Sequence, residues 1–253
     1  MTSATRTRFA EVVRATPMDL GLACLLVGGE VEPDLDVEGS LVRLDELAAT
    51  VSSEPPPAVG LQRALGQEAG FAGEPEDYDD LRSSLLHEVL RRRRGLPLLL
   101  SVVWLEVARR RQIPAYAAAL PDRVVVGVGE PEGKHTVVDP FFGGRLLPGA
   151  RVTPLDHVDL MLRLLTNVRA LMDRQPASLE AVRTRLWAVE LSLLLPRHPL
   201  VLRRQHGQLL VRLGDHLAGV AALHGYADLV EDADPDEATA ARREARLAHS
   251  RLN

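Results

Sequence analysis

Between Ile113 and Asp139 the chain carries three short β-like segments, and an apolar helical run comes immediately before them. This block constrains the fold most. A sheet that small cannot bury its own apolar face, so it must lie on that helix. Ile113–Leu120 and Arg123–Gly129 are rich in alanine and valine, and His135–Asp139 follows the turn Glu130-Pro-Glu-Gly-Lys134. The last two segments therefore read as a hairpin. The helix is Leu96–Arg111, with Pro97 at the first helical position, where a missing N–H leaves nothing unpaired. The fold class predicted is α+β, mainly α, with a small antiparallel sheet against this central helix.

The rest reads as helix. Thr16-Pro17-Met18-Asp19 is expected to open the first one, with Thr16 as cap, and Gly28-Gly29 to stop it. Asp34-Leu-Asp-Val starts the next, placing Val37, Leu41, Leu44 and Leu47/Ala48 on one face. Ser52–Ala58 reads as a proline-rich loop, Leu61–Ala69 as a short helix and Glu74–Asp80 as an acidic loop. Leu81–Arg94 is predicted as a strong helix ended by Gly95. From Thr153 onward the pattern is helical throughout: about 156–174, 178–195, 200–212, 216–231 and 236–252. Loops there are short, so neighbouring helices should be antiparallel. Gly207 and Gly214, with Leu209, Leu210 and Leu213, match the first helix and turn of a tetratricopeptide unit, although Gly219 stands where alanine is usual. Three parts follow: a helical 8–72, a central 73–152 and a helical 153–253.

Composition removes several function classes. The 253 residues are 46% hydrophobic and 26% charged, with a net charge of −5, which suits a cored globular protein and not a disordered one. A protein living on nucleic-acid phosphates is normally basic. The single cysteine, Cys24, excludes a disulfide framework and a multi-cysteine zinc site. No apolar run reaches the roughly 20 residues of a membrane helix, and no secretory h-region follows Met1. The expectation is a cytoplasmic protein without cofactor or metal, not bound to nucleic acid or membrane.

Three segments in fixed order carry a resemblance: Val89–Arg110 around Gly95-Leu-Pro-Leu, Leu120-Pro-Asp-Arg-Val-Val-Val, and Val138-Asp-Pro-Phe-Phe-Gly-Gly-Arg-Leu. Together with Glu32–Glu38 they resemble the SirB-type bacterial proteins, over roughly residues 8–235. The resemblance implies a papain/transglutaminase-like core followed by tetratricopeptide-like helices. Such cores keep a cysteine at the start of a buried helix, a histidine on the adjacent strand and an aspartate on the next. The helix-end amides and an imidazolium make the thiolate, and the aspartate orients the imidazole. Carried over position by position, the resemblance puts Pro97 at the cysteine, Arg123 at the histidine and Asp139 at the aspartate. Proline has neither nucleophile nor N–H, and arginine stays protonated and cannot be a base. What this implies is a non-catalytic protein acting through protein partners, engaged by the C-terminal helical region.

Other residues offer further chemistry. Arg123 and Asp139 are expected to form a structural ion pair. Ser101 lies one turn beyond Pro97, and with His135 and Asp139 it makes the alternative, a hydrolase or acyl transferase using displaced residues. His135, however, falls at the far end of its strand. Cys24 lies on an apolar helix and reads as a core residue. Asp34, Asp36, Glu38 and Asp45 mimic a calcium loop, but the helical pattern from Val37 makes them capping carboxylates. Arg91–Arg94 and Arg109–Arg111 end helices, where the dipole favours cations. Phe141 and Phe142 should anchor the turn that Gly143-Gly144 permit.

Overall fold

The computed structural model describes residues 3–52, 54 and 56–250. Two compact units divide the chain, Met1–Leu164 and Leu165–Asn253.

The first unit is built around one buried helix. Its helices are α1 (Ser3–Arg14), α2 (Leu20–Gly28), α3 (Val37–Thr50), α4 (Pro57–Leu61), α5 (Leu86–Arg92) and α6 (Pro97–Arg110). Every residue of α6 from Pro97 to Ala108 is buried. One side packs on α2, α3 and α5, and the other on a five-stranded antiparallel sheet. The strands are β1 (Ala115–Ala119), β2 (Val124–Gly129), β3 (His135–Asp139), β4 (Arg145–Leu146) and β5 (Thr153–Leu155), in the order β4-β3-β2-β1-β5. β2 is central and nearly all valine because both its faces are covered. α6 lies on one, and Ala118, Val125 and Val137 sit under Leu147, Ala150 and Val152 on the other. Gly127 sits opposite Tyr116. A Cβ there would fall 2.3 Å from the tyrosine ring, so glycine lets that ring lie across the strand.

The α+β, mainly helical class holds, as does the sheet lying on the Leu96–Arg111 helix. Several local expectations do not. The N-cap of α2 is Asp19, whose carboxylate accepts from Leu22 N at 2.9 Å, not Thr16. α1 was not anticipated; its buried residues Phe9 and Val13 are spaced four apart, which is its signal. The helix expected at Leu61–Ala69 begins at Pro57 and continues as a π-helical stretch, Gln62–Glu68. Of the proline-rich loop, Ser53 and Pro55 lie outside the described residues.

The helix expected at Leu81–Arg94 is broken. Leu81–Ser84 is a 3₁₀ turn, Leu85 is extended and α5 follows, ending on Arg93 in the left-handed region (φ 58°) rather than on Gly95. The cause is Asp77, in the 3₁₀ turn Pro75–Asp79, with its side chain fully buried. It accepts from the Ser83 hydroxyl at 2.7 Å and from Arg94 Nε at 3.1 Å. Leu96 N donates to the Ser83 carbonyl at 3.0 Å. These bonds draw Ser83 out of a continuous helix and fix where α6 begins. β4 and β5 were also missed, and Thr153–Leu155 is strand where helix was expected. Both are two- or three-residue edge strands whose identity comes from their partners.

The helix α7 (His157–Arg174) crosses from the first unit into the second, where α8 (Leu179–Leu194), α9 (Val201–Arg212), α10 (His216–Val230) and α11 (Pro235–His249) follow. Ser178, Asp215 and Asp234 cap α8, α10 and α11. The expected end of the last helix near Leu252 lies outside the described residues. α9 and α10 meet backbone to backbone. A Cβ on Gly207 would approach Gly219 O to 3.0 Å, and one on Gly219 would approach Gly207 O to 2.9 Å. Gly207 also faces Leu223 while Gly219 faces Val211, so the helices run antiparallel. Gly214, at φ 89°, makes the turn between them. Among the described residues no helix is long and apolar enough to cross a membrane.

Candidate functional site

Ser101, Arg123 and Asp139 come together where the first turns of α6 meet the start of β2 and the end of β3. Pro97 starts α6 without a side-chain cap. The Ser101 hydroxyl, fully buried one turn later, donates to Val124 O at 3.3 Å, which ties that turn to the start of β2. Arg123 immediately precedes β2. Its Nε donates to Asp139 Oδ2 at 2.9 Å, so the expected pair forms. Asp139 is fully buried, and its other oxygen accepts from Phe141 N at 3.2 Å. Both carboxylate oxygens are thereby occupied.

Arg123 also pairs with Asp122. Partial burial works against its charge, but the hydrogen bond it donates to Asp139 and the two nearby carboxylates outweigh it and hold the guanidinium above its ordinary value. A group so held neither gives nor takes a proton at neutral pH.

After Asp139 the chain turns through Pro140–Phe142 and reverses at Gly143 and Gly144, at φ 62° and 76°. Phe141 is buried and anchors this turn, and its carbonyl accepts from Gly73 N at 2.9 Å. Phe142 does not share that role. It is 48% exposed, with the Arg123 guanidinium 5.3 Å and the Arg145 guanidinium 4.5 Å from its ring centre. Tyr78 lies tilted against Phe141, with ring centres 5.9 Å apart. Burial pushes its hydroxyl up, Arg123 opposes that, and Asp122 and Asp139 add to it. Sequence reasoning passed over Tyr78 and Arg145. Arg145 was findable: a Gly-Gly reversal after Asp139 must bring a following residue back beside it, and Asp139 pairs with Arg145 in register.

The alternative set is not assembled. His135 pairs with Gly129 at the opposite end of β2 from Val124, about 16 Å away at 3.3 Å per residue. It is exposed, its Nδ1 is 3.2 Å from Gly133 O, and its ring rests on Tyr116. Cys24 is buried within α2, 3.7 Å from the Met161 sulfur. Burial, with Glu106 and Asp19 nearby, pushes its thiol far up, away from the reactive thiolate. Asp36 caps α3 by accepting from Gly39 N at 2.8 Å, and Asp45 accepts from Arg110 Nε at 2.6 Å, so the calcium-like spacing is spent on a helix start and an ion pair. Of the basic runs, Arg91 pairs with Glu88, Arg92 and Arg94 with Asp77, and Arg109 and Arg110 with Glu106. Among the described residues no group of three or more His, Cys, Asp or Glu is placed to hold a metal ion.

The chain is similar to several known proteins. A UPF0162 protein of Xylella fastidiosa (strain Temecula1) is 27% identical over 234 residues, covering 81% of this chain and 82% of the relative. A UPF0162 protein of Pseudomonas aeruginosa is 35% identical over 155 residues, covering 58% of this chain and 54% of the relative. The crystal structure of menin overlaps 96% of this chain and 68% of its own at 12% identity, with a TM-score of 0.46, too low to bear on the fold. The family described as the transglutaminase-like superfamily matches residues 38–186, which span α3, α6, the whole sheet and the start of α8. That match covers more than half of the chain, and the chain belongs to the transglutaminase-like superfamily.

Proposed function

We propose that this is a non-catalytic member of its superfamily, of SirB type, which works as a protein-interaction or regulatory scaffold. One observation carries the reading: Arg123 and Asp139, which the resemblance sets at the histidine and aspartate positions, are bound to each other as an ion pair. Each oxygen of its carboxylate already has a partner, and the helix beside it starts with proline. Acyl transfer needs a nucleophile and a base within hydrogen-bond reach of each other. Neither Pro97 nor Arg123 supplies one, and the Ser101 hydroxyl is turned to a backbone carbonyl. The antiparallel pairing of α9 and α10, with their glycine crossing and Gly214 turn, supports the second half of the proposal. Stacked helix hairpins of that kind present concave surfaces to partners.

The test is turnover. Purified protein is incubated with an activated ester and with a glutamine-containing peptide plus an amine acceptor. No hydrolysis or amide exchange above buffer is expected, for wild type and for Ser101→Ala alike. Turnover by wild type that disappears in Ser101→Ala would overturn the reading in favour of an enzyme built from displaced residues.

A further inference from the structure

In the second unit α8, α9, α10 and α11 enclose a groove of about 400 Å³, within the range of ligand-binding clefts. Its floor is apolar. Leu209, Leu223 and Ala248 are buried there, and Leu247 stands 57% exposed at the lip. The walls are polar, and their charges are unequally spent. Glu244 is bound by Arg204 and by Gln208 Nε2 at 2.8 Å, and despite partial burial these hydrogen bonds hold its carboxyl below the usual range. Arg185 shares its charge with Asp173 at 2.8 Å. Gln205 accepts from Arg169 through Oε1 at 3.0 Å, which leaves its amide N–H₂ for another acceptor. Arg212 is exposed and has no carboxylate partner among the described residues. The one carboxylate in the groove is thus neutralised, while a guanidinium and an amide donor remain open. This happens in a chain whose overall charge is −5.

We infer that this groove docks an acidic amphipathic helical segment of a partner protein. Aliphatic side chains would rest on Leu209, Leu223 and Leu247, and two acidic side chains, two turns apart, would meet Arg212 and Gln205. Gln205, Gln208, Leu209 and Arg212 form one face of α9 at i, i+3, i+4 and i+7, about 10 Å long. Anchors at the same spacing on a docked helix match that length. Opposite charge at the rim selects the partner, and the leucine floor supplies the apolar burial. The inference rests on the interaction reading above and specifies the chemistry of the partner.

The experiment selects a random library of about 12-residue peptides on the full chain. Enriched peptides are then titrated by fluorescence anisotropy against wild type, Arg212→Glu and Leu247→Asp. Both altered side chains are exposed, so melting curves of the variants should match wild type. Enriched peptides are expected to carry large aliphatic residues at helical spacing with Asp or Glu between them, and each variant should weaken them about tenfold or more. The inference is overturned if no peptide is enriched, if the enriched peptides are basic, or if they bind both variants as well as wild type. Self-association of the wild-type chain that Arg212→Glu dissolves would also overturn it, by making a second copy the occupant. Turnover in the assay above, with peptide selection as expected, would refute the non-catalytic reading and leave the groove standing; failed selection without turnover refutes the groove alone.

Discussion

Arg123 and Arg212 sit at the rims of the two most pointed surfaces of this molecule, and they are used in opposite ways. Arg123 is held by a fully buried aspartate whose second oxygen is also bound, so this pair is complete within the fold. Arg212 lines a groove with an apolar floor and has no carboxylate partner among the described residues. A buried charge must be paired where it stands, because leaving it unpaired is costly; an exposed one can wait for a partner. The first arrangement holds a shape, and the second leaves an interaction to be made.

The comparison breaks most easily by removing a buried carboxylate from the first unit. Asp77 accepts from Ser83, from Arg94 and from Glu74 N, and it fixes the approach to α6. Asp77→Ala should lower stability by about 3–5 kcal/mol, as expected when one partner of a buried ion pair is lost. Arg212→Ala should change it by less than about 0.5 kcal/mol, the usual limit for a surface site. Urea unfolding of the two variants reads both values. Equal losses would show that Arg212 is structural and that the contrast is false.

A second substitution sharpens what holds the helical unit. There the helices approach through glycine rather than through buried charge. Gly207→Ala would press a methyl against Gly219 O and Leu223 N, at 3.0 and 3.1 Å, and backbone atoms cannot step aside as a flexible side chain can. A loss of about 1–3 kcal/mol is expected, the range for overpacking. Gly225→Ala, also within α10, meets nothing within 4 Å and should instead gain about 0.5–1 kcal/mol from helix propensity. Thermal melts of the pair separate crowding from propensity. If both stabilise, the α9–α10 crossing is looser than the backbone distances require.

The parts legible in sequence were those set by neighbours along the chain. Pro97 marks the start of α6, valine runs mark β2 and β3, and Gly143-Gly144 mark a reversal. Asp139 kept beside a guanidinium followed from adjacent strands. What stayed hidden depends on residues far apart. Nothing within Leu81–Arg94 announces the break at Leu85, because its cause is the hydroxyl of Ser83 reaching back to Asp77. Tyr78 read as part of an acidic loop, and only folding sets it beside Phe141. Phe142 looks as apolar as Phe141, yet two guanidinium groups hold it at the surface. The groove over Leu209 and Leu223 needs four helices in place before it exists, so no local pattern signals it.

His87 stands between the two extremes, and it gives the smallest expected effect, one of slope with pH. Its side chain is 8% exposed, and its ring rests against Gly28, where a Cβ would lie 2.4 Å from Nδ1. Nε2 is 3.3 Å from a Glu32 carboxylate that is itself 56% exposed, and Nδ1 is buried without a partner among the described residues. Burial pushes the histidine down. Glu32 and Glu88 oppose that, Arg91 adds to it, and burial wins. The folded state therefore prefers the neutral ring, and the unfolded chain takes up the proton first as pH falls. Stability from this group is complete above the ordinary histidine value of about 6.5 and declines as pH drops from there toward the lower value of the folded state. Urea midpoints between pH 5 and 8 should fall on the acid side for wild type and fall less for His87→Gln. The wild-type minus variant difference isolates His87 from the other titrating groups. A difference that stays flat across that range would mean that the Glu32 contact cancels burial, and one that grows in favour of wild type as pH falls would mean that the contact outweighs burial and that His87 belongs with Arg123 as a paired cation.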